Sequence, residues 1–161
     1  MIEGDFNGLE VLKIAITMEE EGMQFYTQGA SRTQGRLKEF LMHAAGQERL
    51  HKEAFEKLYD KLMKEKQDFD DTYLFDEQVE GYMRMFAQNE VFKKDAPKEN
   101  AFDDLKEAVC YAIKAEETTI ELYTRMYTGA KYAEMKVMLE KMIQEEEEHV
   151  EYFKQLLEDI N

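Results

Sequence analysis

The chain has 161 residues and is strongly acidic, with 36 Asp and Glu against 21 Lys and Arg and a formal net charge of −15. This charge argues against nucleic acids and anionic membranes as partners, because both attract basic surfaces. The single cysteine excludes a disulfide framework or a four-thiolate iron site within one chain, and no apolar run is long enough to span a membrane. The N-terminus does not resemble a signal peptide, so we expect a cytoplasmic protein.

The composition favours helix throughout, with one proline, eight glycines and no strand-like alternation. At this length we expect a single domain over residues 1–161. The apolar spacing predicts a first helical hairpin over about residues 7–64. A short turn at Ser31–Gly35 separates its two helices, which are therefore expected to be antiparallel.

The segment that follows, about residues 65–101, is too long for a turn and predicts a crossover connection. It contains a short amphipathic helix over 76–87 and a loop that ends at Pro97. A second hairpin is predicted over about residues 102–160, with its turn at 127–131. The fold class is therefore all-α, a four-helix bundle of two hairpins joined by a long crossover that contains a short helix.

Two Glu-x-x-His motifs occupy the predicted buried faces. Glu146 and His149 project from one side of the last helix, because residues three apart share a helix face. Glu48 and His51 repeat the motif on the second helix. Burying charge without a partner costs several kcal/mol, so these polar residues among apolar ones indicate metal ligands. The two faces are Ala44, Glu48, His51, Phe55 and Met142, Glu146, His149, Phe153.

The first helix of each hairpin carries one glutamate in its apolar face, Glu19 and Glu116. Their surroundings also repeat, as Ala-Ile-x-x-Glu-x-x-Gly-x-x-Phe-Tyr and Ala-Ile-x-x-Glu-x-x-Thr-x-x-Leu-Tyr. In a four-helix bundle the motifs would bring together four carboxylates and two imidazoles, the ligand set of di-iron and di-manganese carboxylate bundles. Four carboxylates carry about −4, which two divalent ions would neutralise. We expect two iron ions per chain, although the same ligands accept Mn or Zn.

These motifs resemble those of the ferritin-like superfamily, and most closely its rubrerythrin-like branch. The resemblance covers nearly the whole chain and implies a ferritin-like bundle. It also implies a role for each of the six residues. Glu19 and Glu116 would be the single ligands from the first helix of each hairpin. On the second helix of each hairpin, Glu48 and Glu146 would be bridging carboxylates, and His51 and His149 would be imidazole ligands.

The resemblance further implies a peroxide-reducing or dioxygen-reacting enzyme that forms a small homodimer. Rubrerythrins place a second glutamate ligand where this chain has Thr119, which leaves a more symmetric ligand set. Full-length rubrerythrins also carry a rubredoxin domain, which one cysteine cannot build, so an external donor such as a rubredoxin-type protein is expected to supply electrons. No side chain beyond the metal ligands is assigned a catalytic role.

Two other functions remain open from the sequence. One is a ferritin-type ferroxidase that handles iron, although the predicted crossover helix and the lack of a fifth helix after the last one differ from typical cage ferritins. The other is a non-enzymatic, metal-stabilised helical module that binds a partner. The size of the assembly would distinguish a ferritin-type ferroxidase from a peroxidase. Turnover with peroxide would distinguish a peroxidase from a non-enzymatic module.

The remaining candidates have simpler interpretations. Tyr26 and Tyr123 are expected in the core, where a hydroxyl that reaches a ligand carboxylate would support the centre. His43 lies off the ligand spacing and is predicted at the surface or boundary, whereas Cys110 is predicted in the core or at its boundary. Surface positions are also predicted for the acids that neighbour the motifs: Glu20, Glu21, Glu117, Glu145, Glu147 and Glu148.

Overall fold

The computed structural model describes residues 8–65, 71–87, 102–130 and 133–161. Within these ranges the chain is helical and contains no strand, which confirms the predicted all-α class. None of the described helices is long and apolar enough to cross a membrane. The α-helices are α1 Gly8–Ser31, α2 Gly35–Glu65, α3 Glu77–Ala87, α4 Leu105–Gly129 and α5 Ala133–Ile160.

The bundle is built from two hairpins. Helix α1 packs along α2, and α4 packs along α5, while α2 also contacts α4 and α5. Gly35 begins α2 with φ +64°, a left-handed conformation that glycine adopts at little cost. Asp104 caps α4 by accepting a hydrogen bond from the Glu107 backbone N–H at 2.8 Å. The result is the ferritin-like four-helix bundle predicted from the motifs.

The crossover contributes a helix close to the predicted position. Helix α3 packs against α1, where Arg84 Nε lies 3.4 Å from Glu21 Oε1. A 3₁₀ helix at Thr72–Phe75 precedes it and was not predicted, because four residues are too few to show a periodicity. The predicted loop before Pro97 and the start of the first helix near residue 7 lie outside the described residues.

The apolar core is divided into two clusters, with a polar layer between them. One cluster contains Met18, Phe55, Leu122 and Met142. The other contains Tyr26, Ala44, Ala112 and Phe153. Each long helix contributes to both clusters and passes from one to the other at the level of its predicted ligands. The polar layer is therefore enclosed along the bundle axis by apolar side chains.

The prediction for Cys110 is wrong, because its side chain is exposed. On α4 it belongs to the solvent-facing row that continues through Lys114, Glu117 and Glu121. Its helical position, rather than the general tendency of cysteine to be buried, determines its exposure.

Candidate metal centre

The polar layer contains all six residues that the sequence suggests as ligands. Helix α1 supplies Glu19 and α4 supplies Glu116, while α2 and α5 each supply a glutamate and a histidine. Five of the six are buried. The exception is His149, whose side chain retains 17% of its accessible surface. The exposed fractions of the buried five are Glu19 1%, Glu48 8%, His51 2%, Glu116 3% and Glu146 0%.

His51 lies between the two hairpins. Its Nδ1 is 2.6 Å from Oε1 of Glu146 on α5 and 3.5 Å from Oε2 of Glu19 on α1. Despite this proximity, neither ring nitrogen forms a hydrogen bond of good geometry within the described part of the chain, and the same holds for those two carboxylate oxygens. Buried polar atoms are rarely left without a partner. Nδ1 of His51 and the two carboxylate oxygens face one another, an arrangement that a bound cation would satisfy.

Glu146 lies between the two histidines and presents one oxygen to each. Its Oε1 faces His51, and its Oε2 is 3.2 Å from Nδ1 of His149. The two imidazole rings are nearly parallel, with centroids 5.4 Å apart. Nδ1 of His149 is also 3.8 Å from Oε1 of Glu116. Glu146 therefore links the two histidines of the layer.

The ligand atoms form two groups that share His51, and the atoms in each group lie within 4.8 Å of one another. His51, which lies between the two hairpins, is the residue that both groups contain. The two groups are Glu19, Glu48, His51 and His51, Glu146, His149.

Two carboxyls in the layer favour their protonated forms. Burial raises the pKa of Glu48 well above its usual range, and repulsion from Glu19 and Glu116 adds to this. Burial likewise raises the pKa of Glu116, with repulsion from Glu146 as the next cause. In the metal-free protein, protons therefore offset part of the negative charge that two cations would otherwise balance.

The central pair shows the opposite tendency. Burial by itself would lower the pKa of His51, but its contacts with Glu146 and Glu19 raise it to about 11. Burial would raise the pKa of Glu146, yet its close contacts with His149 and His51 keep it below its usual range. The metal-free centre thus contains an imidazolium between carboxylates, and its positive charge stands where the positive charge of a metal would be.

The residues expected to support the ligands differ in what they contact. The Tyr123 hydroxyl donates a hydrogen bond to Oε1 of Glu19, which ties α4 to α1. The Tyr26 hydroxyl is buried and has no hydrogen-bond partner among the described residues. Thr119 is buried, but its hydroxyl donates to the Ala115 carbonyl oxygen at 2.9 Å. Of the three, only Tyr123 contacts a residue of the suggested ligand set through its hydroxyl.

Sequence reasoning assigned Glu145 to the surface and missed its contact with the centre. Its side chain is 36% exposed, yet Oε2 lies 3.0 Å from Nε2 of His51. Its other oxygen is 3.8 Å from Nζ of Lys141. The run of four glutamates gives no signal of this, because Glu145 reaches His51 from the flank of α5 and not from its inward face. Ligating histidines commonly donate their second N–H to a carboxylate, and this position suits that role.

Other acids and the third histidine lie away from the centre. Glu20 forms an ion pair with Lys52. Glu21 is buried, contrary to its predicted surface position, and lies beside Arg84 of the crossover helix. His43 is exposed, as predicted, and its ring lies 6.0 Å from that of Tyr152.

Comparison with known proteins agrees with this arrangement. The rubrerythrin family model matches residues 10–157, a range that includes both hairpins and the entire polar layer. The chain belongs to the rubrerythrin family. Rubrerythrins are ferritin-like di-iron proteins. No curated protein and no solved structure matches the chain. Family membership and the buried carboxylate–imidazole layer therefore both indicate a centre that can hold metal.

Proposed function

We propose that this rubrerythrin is a di-iron oxidoreductase that reduces hydrogen peroxide to water with electrons from an external donor. One observation carries the proposal: three buried potential ligand atoms face one another without a hydrogen bond of good geometry among the described residues, within a layer of four carboxylates and two imidazoles. They are Nδ1 of His51, Oε2 of Glu19 and Oε1 of Glu146. The overall reaction consumes one peroxide, two electrons and two protons, and yields two waters.

The residues of the layer would hold the two iron ions. When bound, the iron pair supplies the two electrons that cleave the O–O bond. Glu146 would help to hold both ions, since its two oxygens face different histidines. The implied ligands are Glu19, Glu48, His51, Glu116, Glu146 and His149.

Surrounding residues position these ligands and control access to them. The apolar clusters on either side exclude bulk water along the bundle axis. Tyr123 fixes the Glu19 carboxylate through its hydrogen bond. The Tyr26 hydroxyl is buried, and no other described residue engages it. Burial raises its pKa, and the nearby carboxyls of Glu116 and Glu48 raise it further, so it retains its proton.

A ferroxidase is the second candidate, and Thr119 is the observation that favours it. This residue stands where rubrerythrins carry a second glutamate, and its hydroxyl is bound to the Ala115 carbonyl. The centre therefore lacks an alternative anionic ligand at that position. We expect the protein to prefer peroxide over dioxygen, but by a smaller factor than a rubrerythrin that has this glutamate, and we expect Thr119→Glu to increase the preference.

Anaerobic loading with Fe(II), followed by stopped-flow mixing with peroxide and dioxygen in parallel, tests the proposal. Oxidation of the iron should be faster with peroxide. Equal rates, or faster oxidation by dioxygen, would replace the peroxidase with the ferroxidase. Light scattering gives an independent check, since we propose a homodimer and a large hollow particle would indicate iron storage.

Variants test which residues hold the iron. Glu146→Ala and His149→Ala should each abolish binding of an iron pair and the reaction with peroxide. His43→Ala is the matched control, because this histidine is exposed and outside the polar layer. Loss of iron in His43→Ala alone would show that the ligands are assigned to the wrong residues.

A further inference from the structure

The surface between α2 and α5 carries an apolar groove of about 680 Å³. Two of its side chains are unusually exposed for their type, Leu50 at 50% and Val137 at 66%. Apolar surface of this kind, surrounded by polar residues, is typical of binding sites. The apolar lining consists of Leu50, Ala54, Leu58, Ala133, Val137 and Met138.

The rim of the groove is basic, although the chain as a whole is acidic. Lys57, Lys61 and Lys141 line it together with one acid, Glu53. That acid accepts a hydrogen bond from Arg49 at 3.2 Å, and Lys61 and Lys141 lie 3.9 and 3.8 Å from glutamates one helical turn away. Among the residues that line the groove, three lysines outnumber one glutamate, so the lining carries net positive charge.

The groove also lies near the metal centre. Lys141 on its rim lies 3.8 Å from Glu145, which in turn lies 3.0 Å from Nε2 of His51. On α2, Leu50 directly precedes His51, and Ala54 follows it by three residues, about 4.5 Å of helical rise. A partner seated in the groove would thus lie about one helical turn along α2 from a suggested ligand.

We propose that this groove is the docking site for an acidic protein that donates one electron at a time to the centre through its His51 side. The inference rests on the proposed function, which requires two electrons for each peroxide, so two reduced donors dock in turn and each leaves oxidised by one electron. The chain's net charge of −15 repels an acidic partner elsewhere, and the basic rim therefore fixes where it binds. A second copy of the chain fits less well, because a two-fold contact of groove with groove would bring the two basic rims together.

Charge reversal on the rim provides the test, with an acidic rubredoxin as the probe. Lys57→Glu/Lys61→Glu should weaken rubredoxin binding about 10-fold or more at low salt, measured by NMR titration, and should slow reduction of the oxidised centre by reduced rubredoxin. The matched control is Lys38→Glu/Lys106→Glu, which makes the same charge change at two exposed lysines outside the groove. We expect less than about a 2-fold effect from it. Equal effects of the two double variants would overturn the proposal.

The apolar lining is tested by Val137→Ser against Met42→Ser, since Met42 is an apolar residue outside the groove with a similar exposure, 58% against 66%. Only Val137→Ser should weaken rubredoxin binding. If sedimentation instead shows that Val137→Ser dissociates a homodimer, the groove is a subunit interface and the docking proposal fails. Peroxide oxidation of the dithionite-reduced protein separates the docking proposal from the proposed function, because this reaction requires no docked donor. Its rate should be unchanged in every groove variant. Its absence from the native protein would refute the proposed function alone.

Discussion

Glu48→Gln is expected to stabilise the metal-free protein and to remove the stabilisation that metal provides. The Glu48 carboxyl is 8% exposed, and burial together with repulsion from Glu19 and Glu116 raises its pKa. The amide has nearly the same shape and is neutral at every pH, so folding no longer has to protonate or bury a carboxylate. Relief of a poorly compensated buried polar group is worth about 1–3 kcal/mol. For a chain of 161 residues this raises the Tm by about 2–12 °C.

Metal should reverse the order of stability. At a free metal concentration of about 100 times Kd, a ligand that binds only the folded state contributes about 2.7 kcal/mol. The native protein should gain this from Zn(II), a redox-inactive probe, whereas the variant has lost an anionic ligand and should gain much less. Thermal unfolding followed by circular dichroism, with EDTA and with excess Zn(II), measures both effects.

Glu39→Gln is the matched control for this experiment. It makes the same change at an exposed position on the same helix, so its free energy of unfolding should stay within about 0.5 kcal/mol of native under both conditions. A lower Tm for metal-free Glu48→Gln, or full Zn(II) protection of that variant, would refute the account of a repulsive carboxylate layer that metal neutralises.

Two further outcomes follow from the same layer. Glu48 and Glu116 have pKa values above the ordinary 4.5, and His51 has one of about 11 against 6.5, so the folded metal-free state binds more protons than the unfolded chain. These groups therefore stabilise the metal-free protein most below about pH 4.5, and their contribution falls as the pH rises. Urea unfolding between pH 5 and 9 checks this, and a free energy of unfolding that rises with pH would contradict it. Tyr123→Phe removes the hydrogen bond to a ligand carboxylate and should weaken Zn(II) binding about 10- to 100-fold, whereas Tyr26→Phe removes a hydroxyl without a partner and should leave metal-free stability unchanged or higher. Competition with a chelator measures the Zn(II) affinity, and thermal unfolding measures the metal-free stability. Equal Zn(II) affinities of the two variants would contradict the different roles given to the two hydroxyls.

The hairpins and the polar layer could be predicted because helix geometry determines which residues share a face. Glu48 with His51, and Glu146 with His149, stand three apart among apolar residues, and the structure places these four side chains in one layer between two apolar clusters. The metal-binding role of these residues stays a prediction.

Details set by individual side chains could not be predicted from the spacing. Glu145 lies on the flank of α5, and only the conformation of its long side chain brings a carboxylate oxygen to His51. The unequal burial of His51 and His149 likewise depends on how the helices pack, although the two sequence motifs are alike. Cys110 was assigned from its residue type, whereas its row on α4 faces solvent.

Iron stoichiometry after anaerobic reconstitution tests the central claim most directly. The native protein should retain two irons per chain after desalting, because the six residues of the layer provide ligands for a pair of ions. Glu146→Ala should not retain the pair, since it removes the carboxylate that faces both histidines. One iron or none per native chain would contradict the dinuclear centre.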